Sequence, residues 1–409
     1  MHNSDVLIIG CGIAGASAAL TLAKNPNLKI TILTRENDPQ ESNTRYAQGG
    51  IIGRGENDSA EILANDIVAA GAGAASPEAA RILAEEGPGI LQDLLVNLAG
   101  IEFDTRSDGG PEYTLEAAHS CRRVLHVGDG TGQAIIVGLL KAFEKFPNIT
   151  IMDGVTAVDL ITFPHHSRDP LKAYEPVTCY GAYAFDRKER TVHRYFSAVT
   201  LLATGGIGRI YLNTTNPAGA RGDGLAMAHR AGARIENAEY VQFHPTSLST
   251  PGAEGFLISE SVRGEGAVLL TPDGHPFMSD YSPQWKDLAP RDVVARAIHH
   301  QMETNVYSFV LLDLASHMES SAIKKRFPNI YQTCLAAGID ISKEPIPVVP
   351  AAHYFCGGVL VDTWGRSSIQ NLYALGECSC TGLHGANRLA STSLLEGLTW
   401  GYRAGKNIT

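Results

Sequence analysis

The chain has 409 residues, 44% hydrophobic and 19% charged, an ordinary balance for a folded protein with room for two domains. A formal net charge of −10 argues against a nucleic-acid partner but leaves a small anionic ligand open, because local cations decide that. Seven scattered cysteines without a C-x-x-C pair speak against a disulfide framework or a zinc site, and no apolar run is long enough to cross a membrane.

Val6–Ile9 is four apolar residues in a row and reads as a buried parallel strand. It starts too close to residue 1 to leave room for a signal peptide, so reduced thiols and a cytoplasmic location are expected. Gly10, Gly12 and Gly15 follow in G-x-G-x-x-G spacing, and an alanine-rich helix is predicted over Ala14–Ala23. The first glycine permits a tight turn. The second lets backbone approach a pyrophosphate at the helix N-terminus, and the third lets helix and strand pack closely. A second strand, Lys29–Leu33, follows at βαβ distance.

A polar loop, Glu36–Thr44, leads to Tyr46-Ala-Gln-Gly-Gly50. Ser76-Pro77-Glu78 is a helix start, and that helix is expected to run toward Ala99 with an interruption at Gly87-Pro88-Gly89. Thr131–Phe146 reads as a helix and Ile149–Asp153 as a short strand. Thr156–Val192 is hairpin material around Asp186–Glu189, with His165-His166 in an exposed loop rather than a metal site. Val199–Gly206 is a third buried strand ending in glycines, and Asp223–Ala228 opens a helix. The βα rhythm lapses from Ala238 to Tyr354 and returns at Gly357–Val361 and Leu372–Gly376, before a final helix from about Ser391 to near Arg403. The expected fold class is α/β: a Rossmann-like nucleotide-binding domain in two parts, 1–237 and 355–409, with an inserted α+β capping domain over 238–354.

Three glycine-rich strand ends, Gly10–Gly15, Thr204–Gly206 and Gly376-Glu377, suggest one nucleotide cofactor wrapped by distant segments. Beside them stand Ala47-Gln-Gly-Gly-Ile51, Ala203-Thr-Gly-Gly206, Gln242-Phe-His-Pro-Thr246, Arg263-Gly-Glu-Gly-Ala267, Pro290-Arg-Asp-Val-Val-Ala-Arg296 and His384-Gly-Ala-Asn-Arg388. In that order and number they resemble the flavoprotein family that contains succinate dehydrogenase, fumarate reductase and L-aspartate oxidase. The resemblance covers nearly the whole chain and implies FAD. Membrane-bound members carry a histidine, covalently bonded to FAD, where this chain has Asn43, so non-covalent FAD is implied.

The resemblance also implies a cofactor site. It comprises Gly10, Cys11, Gly12, Ile13, Ala14 and Gly15; Thr34 and Arg35 in place of the usual ribose-binding acid; Asn43, Thr44, Arg45, Tyr46, Ala47, Gln48, Gly49 and Gly50; Ala203, Thr204 and Gly205; and Asp223, Glu377, Ser393 and Leu394. Thr34 can bond the ribose, and Arg35 can sit near phosphate. Ser391 or Ser393 is a candidate helix cap, and the positive end of that helix would favour negative charge on a reduced flavin.

For a C4 dicarboxylate the family pattern gives His244 with Ser259 at one carboxylate and His353 with Arg388 at the other. Gln242 and Leu257 line the pocket, and Arg291 serves in proton transfer with Glu260 and Arg263 as a relay. Arginine suits a carboxylate because its planar fork can bond both oxygens. Leu115–His126 resembles the aspartate oxidase stretch that carries an acid before Gly-Gly-His-Ser, with Ala117-Ala118 replacing the glycines; Glu116 would then pair with the substrate ammonium.

Oxidation of L-aspartate to iminoaspartate is implied, with oxygen or fumarate as acceptor. The product would feed quinolinate formation in NAD biosynthesis, with a transient contact to quinolinate synthase and no metal. A soluble fumarate reductase or succinate dehydrogenase, and a partner-dependent flavin electron carrier, are the alternatives. The oxidase branch continues into a C-terminal helical domain of about a hundred residues, an ordinary domain size. This chain ends at Thr409, so a shortened chain is expected.

Overall fold

The structure, a computed structural model, describes residues 1–116, 118–165 and 167–409; Ala117 and His166 lie outside the described residues, and His165 is exposed. A seven-stranded sheet forms the frame. Its order is Ile149–Met152, Ile30–Leu33, His2–Ile9, Thr191–Leu202, Thr178–Asp186, Val155–Phe163. Leu372–Ala374 pairs in parallel beside the C-terminal end of Thr191–Leu202. The first four strands run parallel, and Val6–Ile9 and Ile30–Leu33 are buried throughout, which is why they read as unbroken apolar runs.

Three elements differ from expectation. The first strand begins at His2, because its ladder with Thr191–Leu202 reaches from Ile9–Leu202 out to His2–Tyr195. The strand expected at Val199 is the end of a 12-residue strand that starts at Thr191, one arm of the hairpin to Thr178–Asp186. Gly358–Leu360 does not join the main sheet; it pairs with Ile235–Glu236 and Ser379–Cys380. The place beside Leu202 is already taken by Ala374.

The helix from Pro77 also differs. It starts as expected, with the Ser76 hydroxyl accepting the Ala79 N–H at 3.3 Å. It then runs through Pro88 to Leu91 and continues as a π-helical turn over Gln92–Leu98. Proline removes the bond to the carbonyl four residues earlier, which here is Ala84. The Arg54 guanidinium donates to that carbonyl, so the orphaned acceptor is satisfied and the helix survives.

The fingerprint helix, Ile13–Leu22, is buried at every position. It packs in parallel against the terminal helix, Thr392–Ile408, through Gly397, Gly401 and Gly405. A Cβ on Gly401 would lie 2.4 Å from the Ala14 carbonyl oxygen, and one on Gly405 would lie 2.7 Å from the Thr21 Cβ. The Ser17 hydroxyl donates to the Leu398 carbonyl at 2.6 Å across the same seam. Gly401→Ala is expected to lower stability by about 2 kcal/mol, as overpacking at a rigid backbone contact does. A fall in the denaturant midpoint at unchanged slope would show it.

A separate antiparallel sheet, in the order Val241–Leu248, Ile346–Phe355, Val310–Asp313, Val268–Leu270, has its own core that includes Ile258, Val294, Leu312 and Phe327. All seven cysteines are free. Among the described residues no helix is long and apolar enough to cross a membrane.

Candidate functional site

The parallel strands end at a cavity of about 740 Å³, where open α/β sheets hold their ligands. One end is lined by Gly10–Ala14, Thr34, Arg35, Asn43, Thr44, Tyr46–Gly50, Ala203–Gly205, Asp223 and Glu377. Gly15 does not line it; a Cβ there would sit 2.2 Å from the Gly10 carbonyl oxygen, so this glycine serves helix–strand packing. Arg45 also points elsewhere, pairing with Asp38 at 3.1 Å and Glu41 at 3.6 Å.

Local bonds fix this end. The Thr44 hydroxyl accepts the Ile13 N–H at 3.0 Å and so ties the loop to the start of the fingerprint helix. Asn43 donates to Glu377 at 2.6 Å, and Glu377 also accepts the Phe355 N–H at 3.1 Å. Burial pushes the Glu377 pKa up to about 7 against those donors. Arg35 bonds Glu36 and Asp223, each at 3.0 Å.

The same cavity is also lined by His244, Leu257, Ser259, Glu260, Arg291, His353, Arg388 and Glu116, and by Ser393 and Leu394. His244 and His353 come from neighbouring strands of the second sheet, and their rings meet at 5.1 Å. Burial and the nearby guanidinium groups hold both imidazoles well below their ordinary pKa, so they are neutral at physiological pH. The His244 Nδ1 accepts the Thr246 N–H at 3.2 Å in the tautomer that leaves the proton on Nε2. The Thr215 hydroxyl holds the His353 Nδ1 at 2.7 Å.

Arg291 opens the helix Arg291–Asn305 and is buried against Glu260 through its Nε; it forms no pair with its neighbour Asp292, which bonds Arg296. Burial and Arg291 bring the Arg388 pKa down to about 10, still cationic at neutral pH. Arg388 donates to Ser393 at 3.2 Å and lies 4.7 Å from the Tyr354 ring centre.

Gln242 and Arg263 do not line the cavity. The Gln242 amide donates to the Arg388 carbonyl at 2.8 Å, and its oxygen faces Arg291 at 3.5 Å, so it spaces the two arginines. Arg263 stands 3.8 Å behind Glu260 and donates to the Asp287 carbonyl at 2.5 Å.

Glu116 is 7% exposed and reaches the cavity over Gly49, where an added Cβ would lie 2.8 Å from its oxygen. Ser391 donates to it at 2.7 Å. Ser391 therefore does not cap the terminal helix; its backbone is left-handed and its hydroxyl is spent on Glu116. Burial and the nearby Glu260 raise the Glu116 pKa, opposed by Arg291 and Arg388.

The FAD binding domain family matches residues 5–394. The chain is 45% identical to L-aspartate oxidase of Yersinia pestis over its full length, spanning 75% of that protein. It is 45% identical to L-aspartate oxidase of Halobacterium salinarum over 99% of its length, again spanning 75%. The chain belongs to the L-aspartate oxidase family of FAD-binding flavoproteins. The chain is similar in fold to a quinol fumarate reductase of E. coli, which superposes on the whole chain with a TM-score of 0.91 at 31% identity, over 70% of that protein.

The cavity fits the FAD of this family on its own terms. Gln48 Oε1, His244 Nε2 and Arg388 Nε line it, are buried, and have no protein hydrogen-bond partner. Buried polar atoms of that kind are normally satisfied, so a polar ligand is implied. Thr44 takes the Ile13 N–H, but the Gly12 cap position offers no side-chain bond, which leaves the next N–H of the fingerprint helix, on Ala14, for phosphate.

Sequence reasoning missed Thr215, Tyr354 and the true role of Ser391. Nothing in the Asn213–Pro217 stretch marks Thr215, and a serine before a helix reads as a cap.

Proposed function

We propose that this chain oxidises L-aspartate to iminoaspartate, using non-covalent FAD and either oxygen or fumarate as acceptor. The observation that carries this reading is the placement of Glu116 in one cavity with Arg291, Arg388, His244 and His353. A dicarboxylate needs donors at both ends, and an amino acid needs one anion besides. His244 Nε2 and Ser259 would hold one carboxylate and Arg388 with His353 the other, while Glu116 would hold the ammonium. Bound FAD supplies the hydride acceptor. Arg291, paired with Glu260, would fix the substrate and neutralise charge in the transition state; a guanidinium is a poor carrier of protons, so this role is mainly electrostatic. The near-complete burial of Glu260 and Arg388 in the wall, with Arg263 behind them, would exclude water from the site. Release of iminoaspartate into quinolinate formation, a transient contact with quinolinate synthase, and a cytoplasmic location complete the reading.

Asn43 supports a non-covalent flavin, because its amide is engaged with Glu377 and offers no nucleophile. Acid precipitation of the yellow holoprotein should leave all flavin absorbance in the supernatant; colour retained in the pellet would refute this. The function itself is tested by anaerobic mixing with L-aspartate, D-aspartate and succinate in turn. Bleaching of the flavin by L-aspartate alone is expected. Bleaching by succinate and not by aspartate would assign the chain to the dicarboxylate dehydrogenases instead.

A further inference from the structure

His119 is 8% exposed and does not line the cavity. Its Nδ1 faces the Arg123 guanidinium at 3.4 Å, and its Nε2 lies 3.1 Å from the Ala390 carbonyl oxygen. Arginine can only donate, so Nδ1 accepts and the ring proton sits on Nε2, aimed at Ala390. Burial first, then Arg123, brings the His119 pKa down to about 4, and the ring is neutral at physiological pH.

Arg123 is itself fully buried and held by Asp66 at 2.7 Å and Asp58 at 3.2 Å. Asp66 also accepts the Ser120 N–H at 2.9 Å and its hydroxyl. An anchored carboxylate pair thus fixes Arg123, Arg123 fixes the ring, and the ring reaches the loop just before Ser391. Ser391 donates to Glu116, and Arg388 lies three residues back on the same loop. His119 also closes a turn on Glu116, its N–H donating to the Glu116 carbonyl at 3.2 Å.

We propose that His119 is the positioning residue that sets the distance between Glu116 and Arg388, and so makes the pocket selective for an amino dicarboxylate over a plain one. The inference rests on the reading of Glu116 given above. A plain dicarboxylate uses Arg388 without Glu116 and is indifferent to that spacing. An amino dicarboxylate must satisfy both groups at once, and misplacement weakens its transition state. The carboxylate-held Arg123 lets one neutral imidazole impose this without placing a further charge in the cavity.

The test uses holoenzyme variants His119→Leu, His119→Gln, Glu116→Gln and the double variant His119→Leu with Glu116→Gln. Each is assayed for aspartate oxidation and for fumarate reduction. His119→Leu is expected to lower kcat/KM for L-aspartate roughly tenfold, the worth of one buried hydrogen bond, and to keep fumarate reduction within about twofold. His119→Gln, which keeps a donor for Ala390, should recover most of the loss. The double variant should be no worse than Glu116→Gln alone, because the positioned group is gone. Equal loss with both substrates, or a loss that adds fully to that of Glu116→Gln, overturns the proposal. If His119→Leu fails to retain flavin, His119→Asn, too short to reach Ala390, carries the same expectations. Failure of the reading beneath it is distinct: wild-type flavin would then not bleach with L-aspartate at all.

Discussion

Glu116→Gln should lower kcat/KM for L-aspartate about 100-fold and leave fumarate reduction within about twofold, measured on the same preparation. The ammonium would then enter a pocket whose remaining charges near it are Arg291 and Arg388, both repulsive to it, with only Glu260 to offset them. Fumarate has no ammonium and loses nothing. The pH profile follows the same logic. Glu116 is needed ionised, and its pKa is raised by burial and by Glu260. Aspartate kcat/KM should therefore hold above that raised pKa and fall as pH drops through it, and the acid limb should vanish in Glu116→Gln. Unchanged aspartate turnover in the variant would contradict the assignment.

Arg291→Gln should abolish both reactions, by about 10³-fold in kcat, because it removes a donor aimed at developing charge whichever substrate is bound. It also strips Glu260 of its nearest cation. Glu260 is 3% exposed, and breaking a buried pair costs about 3–5 kcal/mol. Arg263, still 3.8 Å away, should keep the loss toward the lower figure. Flavin content and denaturant midpoint separate the two effects: a folded, yellow, inactive protein is the expected product. Retained fumarate reduction would show that Arg291 belongs to the fold rather than to the chemistry.

Much of this was legible in the residues, and the reasons differ by element. The strand Val6–Ile9 and the glycines after it declare themselves because parallel strands buried on both faces are apolar throughout, and because a pyrophosphate loop needs glycine where it turns tightly, approaches phosphate or packs helix on strand. The motif-bearing residues of the pocket could be named from family spacing; their convergence needed coordinates. What stayed hidden was decided by partners far away in sequence. Pro88 reads as a helix break, and only Arg54 on the Ala84 carbonyl makes it otherwise. Ser391 reads as a cap until its hydroxyl is seen on Glu116. Gly357–Val361 and Leu372–Gly376 both read as a return of the βα rhythm, and only the pairing of Ala374 with Leu202 shows which of them joins the main sheet. Ala118 takes a left-handed φ of 64°, a conformation glycine adopts at lower cost, in keeping with the glycine that the resemblance implies at that position.

The seam between Ile13–Leu22 and Thr392–Ile408 has a consequence for synthesis. The ribosome releases the first helix early, yet Gly397, Gly401 and Gly405, which receive it, emerge almost 400 residues later. At translation speeds of about 5–20 residues per second, the nascent chain would hold that apolar helix without its terminal-helix partner for tens of seconds. Nucleotide capture by that helix start is then a late event in biogenesis, and a chaperone that shields residues 13–22 during translation would raise the yield of native enzyme.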